Sequence, residues 1–275
     1  MKIFYKFSFL IAIVILFIEP FAFAGTDISH VKLFAHRGLC TRLPENSIEA
    51  VNAAKKLGLS GTEIDLRTTK DKKIILLHDA SLDRTTTGTG DITDLTFDEV
   101  QKFFLINKKG MTTSCKIPLF KDILAKVCLW KNFILALDVK NVDVEKTAHM
   151  VIDYAMEKQV YFFIPGPDFV DTAKKIKAID SNLMISVDLL NWWQIMEVPQ
   201  FVIKALDADA VFASEWFFPR HGFSEAKKAN AEVQVFLWGN HDLEKRMKHA
   251  IELGADVISS DRPDLLLKYL TTLTR

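Results

Sequence analysis

The chain has 275 residues, 49% of them hydrophobic, and sets 35 Lys and Arg against 35 Asp and Glu. That length suits one large α/β domain with a substantial core, and the neutral balance argues against a basic footprint for nucleic acid or an anionic surface. The cysteines Cys40, Cys115 and Cys128 lack the spacing of a zinc site, and their odd number leaves at least one thiol free.

Residues 1–24 read as a secretory signal peptide. Lys2 and Lys6 precede an apolar run from Phe7 to Ile18, Glu19-Pro20 breaks it, and Ala22 and Ala24 occupy the positions a signal peptidase reads. The run is too short to span a bilayer. No Cys lies at the cleavage site, so a lipid anchor is not expected. The remainder, residues 25–275, is expected in a periplasm or outside the cell, with no stable membrane anchor after cleavage behind Ala24.

Lys32–His36 reads as a buried strand. Ser47 then caps a helix in which Ile48, Val51, Ala54 and Leu57 recur, and Gly58 ends it. Thr62–Thr68 is the next strand. Lys73–His78 follows too closely for a parallel crossover and must return antiparallel. A two-residue turn at Asp71-Lys72 would set Asp65 opposite His78, with Glu63 on the same side. Residues 80–118 form a long irregular segment with a short helix over Phe97–Phe104, of the kind that carries function in compact domains.

The rest alternates. Strands are expected over Phe133–Lys140, Val160–Ile164, Leu183–Asp188, Ala210–Ser214, Val233–Trp238 and Asp256–Ser260. Helices are expected over Leu119–Val127, Val144–Lys158, Asp168–Ile179, Val198–Leu206, Ser224–Asn230, Leu243–Leu253 and Arg262–Leu270. With the first two strands this makes eight parallel strands, an α/β TIM (β/α)8 barrel with an inserted segment after the second strand.

Active groups of such a barrel sit at the C-terminal ends of its strands. His36 ends the first, Glu63 and Asp65 lie on the second, and Asp138 and Lys140 share a face of the third. Three carboxylates with no soft ligand favour Ca²⁺ or Mg²⁺ over zinc. Trp192, Trp193, Trp216 and Trp238 fall at or just past strand ends, where aromatics could contact a substrate, a quaternary ammonium for example. His30, His149, His221, His241 and His249 have no motif partner and are expected at the surface.

His36-Arg37-Gly38, Pro44-Glu45-Asn46-Ser47, Glu63-Ile64-Asp65, His78-Asp79 and the run Asp83-Arg84-Thr85-Thr86 to Gly88-Thr89-Gly90 come in that order. Together they resemble the glycerophosphodiester phosphodiesterase family over nearly the whole chain after the leader. The resemblance implies a divalent cation, Ca²⁺ or Mg²⁺, held by Glu63, Asp65 and Asp138, the last standing where the family has a Glu. It implies that His36 and His78 are general acid and base, in either order, and that water or the glycerol's neighbouring hydroxyl attacks. Arg37, with Lys140 as a second cation, would clamp the phosphoryl oxygens. Glu45 would neighbour the metal or orient Arg37. Trp238 is retained from the family's seventh-strand motif as a substrate contact, the inserted segment would cover the site, and Asp261-Arg262-Pro263 resembles a structural closing motif.

The implied activity is hydrolysis of glycerophosphodiesters, such as glycerophosphocholine or glycerophosphoethanolamine, to sn-glycerol 3-phosphate and an alcohol. An alternative is a lysophospholipase D or sphingomyelinase D type activity, whose members share Glu-x-Asp but generally lack Pro-Glu-Asn and the long insertion. A non-catalytic surface-binding protein on the same scaffold would have damaged His36, Arg37, Glu63, Asp65 or His78, and all are intact.

Overall fold

The computed structural model describes residues 28–164, 169–188, 199–214 and 220–273. The expected signal peptide, Trp192, Trp193, Trp216 and the side chain of His221 lie outside these described residues.

The first half of the chain runs β1 (Lys32–Ala35), α1 (Ile48–Lys56), β2 (Gly61–Thr68), β3 (Ile74–Leu76), α2 (Phe97–Val100), α3 (Phe120–Val127), β4 (Ile134–Asn141) and α4 (Val144–Asp153). The second runs β5 (Val160–Ile164), α5 (Phe169–Ile179), β6 (Met184–Asp188), α6 (Pro199–Leu206), β7 (Ala210–Ser214), α7 (Arg220–Lys228), β8 (Glu232–Leu237), α8 (Leu243–Glu252), β9 (Val257–Ser260) and α9 (Pro263–Leu273). All strands but β3 are parallel, and β1 pairs with both β2 and β9, which closes the barrel.

Continuous apolar runs such as Val160-Tyr161-Phe162-Phe163-Ile164 make strands covered on both faces. Outward residues, among them Leu33, Ile64, Leu135, Phe162, Ile185, Val233 and Ile258, pack with helix residues such as Phe120, Val151, Ile176 and Met247 into the main core. Inward residues Phe34, Ala136, Tyr161, Met184, Ala210 and Val257 fill the barrel's interior. In α1 the Ser47 hydroxyl accepts from the Ala50 N–H at 3.1 Å, satisfying one of the free N-terminal donors.

The hairpin corrects the expected register. Leu66 opposes Leu76, Arg67 opposes Ile75 and Thr68 opposes Ile74, and the Leu77 N–H donates to the Asp65 carbonyl. Asp65 is therefore opposite Leu77, not His78. The turn holds three residues, Lys70 to Lys72, with Lys72 left-handed at φ 60°, and Thr69 N–H donating to the Lys73 carbonyl. A two-residue hairpin of the tight type needs positive φ at both central positions, which Asp-Lys disfavours. A three-residue loop needs it at one. His78 still reaches the barrel mouth because the chain leaves the ladder after Leu76, and Arg67 Nε donates to the His78 carbonyl at 2.8 Å.

Helix bounds also differ. α2 stops at Val100, short of Phe104, α7 runs Arg220–Lys228 against the expected Ser224–Asn230, and α9 continues to Leu273, past Leu270. α4 stops at Asp153, short of Lys158, where Ala155 turns left-handed at φ 52°. The segment from β3 to Ile117 packs its own small core of Ile75, Leu77, Leu82, Ile92, Val100, Leu105, Cys115 and Ile117. A capping box between Thr96 and Glu99 starts α2 inside it. This arm therefore folds on the barrel rather than draping over it. Cys40, Cys115 and Cys128 are free thiols.

Candidate active site

The end of β1 fixes the first functional groups. His36 N–H continues the ladder to the Ser260 carbonyl. The chain then turns left-handed through Arg37 (φ 56°) and Gly38 (φ 80°). A Cβ on residue 38 would lie 2.6 Å from the Ala50 Cβ, so only glycine fits. The turn aims the Arg37 backbone N–H at Glu63 Oε2, 3.0 Å away. The Thr62 hydroxyl holds it from below, accepting from Gly38 N–H and donating to the Ala35 carbonyl.

Each residue of Pro44-Glu45-Asn46-Ser47 then has a task. Glu45 is buried and accepts from Arg37 Nη1 at 2.9 Å and from both Arg84 amino groups. Asn46, left-handed at φ 55°, donates from Nδ2 to Asp65 Oδ2 at 2.7 Å and accepts the Asp65 N–H at 3.0 Å. Ser47 caps α1 and donates to the Pro44 carbonyl. Of the two places the sequence leaves open for Glu45, the structure puts it against Arg37.

Glu63, Asp65 and Asp138 each bring a carboxylate oxygen within 4.8 Å of the others. Lys140 Nζ lies 2.6 Å from Asp138 Oδ2 and 3.3 Å from Asp65 Oδ1. Arg37 Nε lies 3.2 Å from Asp65 Oδ2 without hydrogen-bond alignment. Asp65 is thus fully engaged, whereas Asp138 Oδ1 is buried with no partner among the described residues. Burial, reinforced by the neighbouring charges of Asp65 and Asp138, pushes the Glu63 carboxyl well above its ordinary range. Burial also raises Asp138, against the pull of Lys140. An orphaned carboxylate oxygen beside a carboxyl that resists ionisation is a donor set short of positive charge, so these residues fit a hard divalent cation.

His36 is buried, and its Nδ1 lies 3.0 Å from Asp261 Oδ1. Its ring packs edge-on to Phe236 and Trp238, with centroids 4.4 Å and 5.3 Å away. Burial lowers its pKa below the ordinary imidazole value, and the Asp261 bond only partly offsets this. Burial works against the Asp261 carboxylate too, but its bond to His36 and the ammonium of Lys108, 3.0 Å away, hold it well below the carboxylate range. The Nδ1–H is therefore donated to an ionised acid, which leaves Nε2 as a lone-pair acceptor, 3.7 Å from Glu63 Oε2.

His78 is one-third exposed, with Nδ1 2.5 Å from Asp79 Oδ1. Arg84 donates to both Asp79 oxygens and holds this carboxyl well below its usual range. A continuous chain of contacts, His78–Asp79–Arg84–Glu45–Arg37, joins the inserted arm to the barrel. Both histidines, Arg37, Glu63, Asp138 and Lys140 line one cavity of about 220 Å³. Its opposite wall is aromatic: Phe163 meets Phe212 at 4.7 Å and Phe236 meets Trp238 at 3.9 Å. Trp238, 48% exposed, stands at the mouth. His30, His149 and His241 are exposed and lie outside this cavity.

Sequence reasoning passed over Asn46, Asp79 and Arg84 as working residues, although all three sit inside the quoted motifs. It read Asp261 as structural, and the structure sets that carboxylate against His36, where it accepts the Nδ1–H. No local signal marks a contact spanning 225 positions. The aromatic wall was findable from alternation along β5, β7 and β8, since Phe163, Phe212 and Phe236 hold inward positions.

A barrel that brings two aspartate-held imidazoles and two cations to one cavity, beside a carboxylate trio, has the parts of a hydrolase for phosphate esters. The model of the glycerophosphoryl diester phosphodiesterase family matches residues 36–265. A glycerophosphodiester phosphodiesterase of Caldanaerobacter subterraneus is 28% identical over 86% of this chain and 97% of its own length. A solved glycerophosphoryl diester phosphodiesterase from Parabacteroides distasonis superposes with a TM-score of 0.77 at 25% identity, covering 88% of this chain and 87% of that one. A phosphodiesterase from Oleispira antarctica, solved with the product sn-glycerol-3-phosphate, shares the fold with a TM-score of 0.70 at 20% identity, over 87% and 96% of the two chains. The chain belongs to the glycerophosphoryl diester phosphodiesterase family, and it is an enzyme, a phosphoric diester hydrolase.

Proposed function

We propose that this enzyme hydrolyses glycerophosphodiesters, the deacylated phospholipids such as glycerophosphocholine and glycerophosphoethanolamine, to sn-glycerol 3-phosphate and an alcohol. The observation that carries this reading is the convergence of His36, His78, Arg37, Lys140, Glu63 and Asp138 on one small cavity, with Asp65 buried beside them. At about 220 Å³ it lies below the roughly 300 Å³ at which pockets for drug-sized ligands begin, which suits a small soluble diester better than an acylated lipid. The names of the full-length relatives and the product seen in the Oleispira antarctica enzyme support the same substrate class.

Cleavage requires charge neutralisation, a deprotonated nucleophile and a protonated leaving group. Arg37 and Lys140 bring fixed positive charge to the phosphoryl oxygens. His36, neutral and with Nε2 free, accepts the proton of the attacking O–H. His78 donates to the departing alkoxide, with ionised Asp79 balancing the charge of the imidazolium that an acid must be. A divalent cation, Ca²⁺ or Mg²⁺, held by Glu63, Asp138 and Asp65 would supply further charge neutralisation and lower the pKa of a bound hydroxyl. Export, with cleavage after Ala24, completes the reading and rests on the leader alone.

The test is release of glycerol 3-phosphate from glycerophosphocholine and glycerophosphoethanolamine by the purified protein, after EDTA and after Ca²⁺ or Mg²⁺ is restored. Metal-restored release is the expected result. No release from any head group with either metal would overturn the substrate class.

A further inference from the structure

The cavity holds polar atoms that neither the proton transfers nor the charge cluster uses. Gln234 on β8 is 5% exposed and Ser259 on β9 is 7% exposed, and both line the cavity. Among the described residues, Gln234 Nε2 and Ser259 Oγ have no hydrogen-bond partner. The other end of the amide is fixed, because the buried Ser186 hydroxyl on β6 lies 3.0 Å from Gln234 Oε1. That contact leaves the amide nitrogen as the free end.

Buried polar side-chain atoms are nearly always paired, and two orphans in one cavity need an explanation. Their place in the barrel supplies one. Gln234 precedes Phe236 by two residues and so lies one inward position deeper, roughly 6–7 Å along the strand. Ser259 pairs across the ladder with Phe236 and precedes Asp261, the partner of His36, by two residues. Phe34 and Phe236 flank Ser259 across the ladder, and Phe212 pairs with Gln234. The cavity thus runs from a charged rim to an inner zone where aromatic rings stand beside neutral polar groups.

We infer that Gln234 and Ser259 form a hydroxyl-reading subsite that draws the polyol half of the diester into the barrel, leaving the other alcohol at the mouth beside Trp238. The inference rests on the substrate reading above and deepens it. A hydroxyl can accept from the Gln234 amide and exchange a hydrogen bond with Ser259. The carbon skeleton between hydroxyl and phosphate is apolar and matches the aromatic rings beside Gln234 and Ser259. A quaternary ammonium has neither donor nor acceptor and would leave both atoms unsatisfied. A carboxylate or a second phosphate would find no cation at this depth among the lining residues. The subsite therefore selects the glycerol end and leaves the head group little constrained.

Calorimetric titration tests this, with sn-glycerol 3-phosphate against propyl phosphate, which has the same length and charge but no hydroxyls. It uses the purified protein with Ca²⁺ or Mg²⁺ present, as wild type, Q234M and S259A. The wild type should prefer the polyol phosphate by about ten-fold or more, the effect of one or two buried hydrogen bonds. Each variant should lose most of that preference while its affinity for propyl phosphate stays within about two-fold. The melting temperature of S259A should hold or rise, since the change removes an unpaired buried atom, whereas Q234M also strips the Ser186 hydroxyl of its partner and should melt somewhat lower. Equal affinity for the two phosphates in the wild type would overturn the inference. So would unchanged preference in both variants, or a lower melting temperature with the preference intact, which marks the pair as structural. Glycerophosphoethanolamine cleavage by the same samples keeps the parent reading separate: preferential binding without cleavage would fail that reading and leave this subsite standing.

Discussion

The two histidines of the site are held by opposite means. His36 belongs to the barrel wall: it is buried, edge-on to Phe236 and Trp238, and its carboxylate comes from Asp261, 225 positions away. His78 belongs to the inserted arm: its imidazole is one-third exposed, its carboxylate is the next residue, and one arginine ties the pair to Glu45. The environment of His36 is a property of barrel closure, whereas that of His78 is a local motif that has to be docked. In the proposed mechanism burial suits the first to accept a proton, and the second keeps the solvent access from which an acid is recharged between turnovers.

Removing either imidazole should have the largest effect. H36A and H78A should each lower kcat on glycerophosphoethanolamine by about 10²- to 10⁴-fold, the usual range for a positioned acid or base. Steady-state kinetics on the purified variants measures this.

The carboxylates should separate the arms more sharply. D261N should lower kcat by about 10²-fold, because His36 loses both orientation and charge balance. It should also move the acid limb of kcat/KM. The folded His36 pKa is already depressed by burial, so activity is lost only as pH falls below the ordinary imidazole value. Asp261 raises that pKa, so its loss moves the limb further toward acid. D79N should leave this limb in place. A limb that moved with D79N and not D261N would exchange the two arms.

Glu45 is where the arms meet, so E45Q should cost stability as well as rate, about 1–3 kcal/mol by chemical denaturation, for two arginines left short of a charged acceptor. Burial works to raise the Glu45 carboxyl, but the bonds from Arg84 and Arg37 prevail and depress it. A depressed carboxyl contributes stability that is present above the unfolded value, about 4.3, and is lost as pH falls through the folded one. The deficit of E45Q should accordingly be full at pH 7 and shrink in acid.

W238A should be the mildest, raising KM about 3- to 10-fold with kcat nearly kept, since the ring stands half-exposed at the mouth and touches His36 only edge-on.

The same contrast explains what could be read from the chain. Strands β4 to β9 carry apolar runs between amphipathic helices, so their existence and order were legible from period alone. Glu63 and Asp65 were placed by alternation along β2, and Asp138 and Lys140 by the same rule on β4. The hairpin register was missed by one because turn geometry, not side-chain pattern, sets it, and Lys72 accepts the left-handed position that Asp-Lys could not both take. The partner of Asp261 was not legible because it is brought to it only when β9 pairs with β1. Gln234, like the aromatic wall, was overlooked despite a plain signal, an amide in the apolar run Val233 to Leu237 of a buried strand.

The division of proton work between the two arms is tested most directly by changing the leaving group. Rates of wild type, H36A and H78A should be measured on glycerophosphoethanolamine and on glycerol 3-phosphate esterified with p-nitrophenol, whose anion departs without protonation. H36A should be impaired equally on both, because the nucleophile must be deprotonated in either case. H78A should lose about 10²- to 10⁴-fold on the ethanolamine ester and recover most of that loss on the nitrophenyl ester. Recovery by H36A instead of H78A would reverse the assignment, and equal loss by both variants on both esters would contradict it.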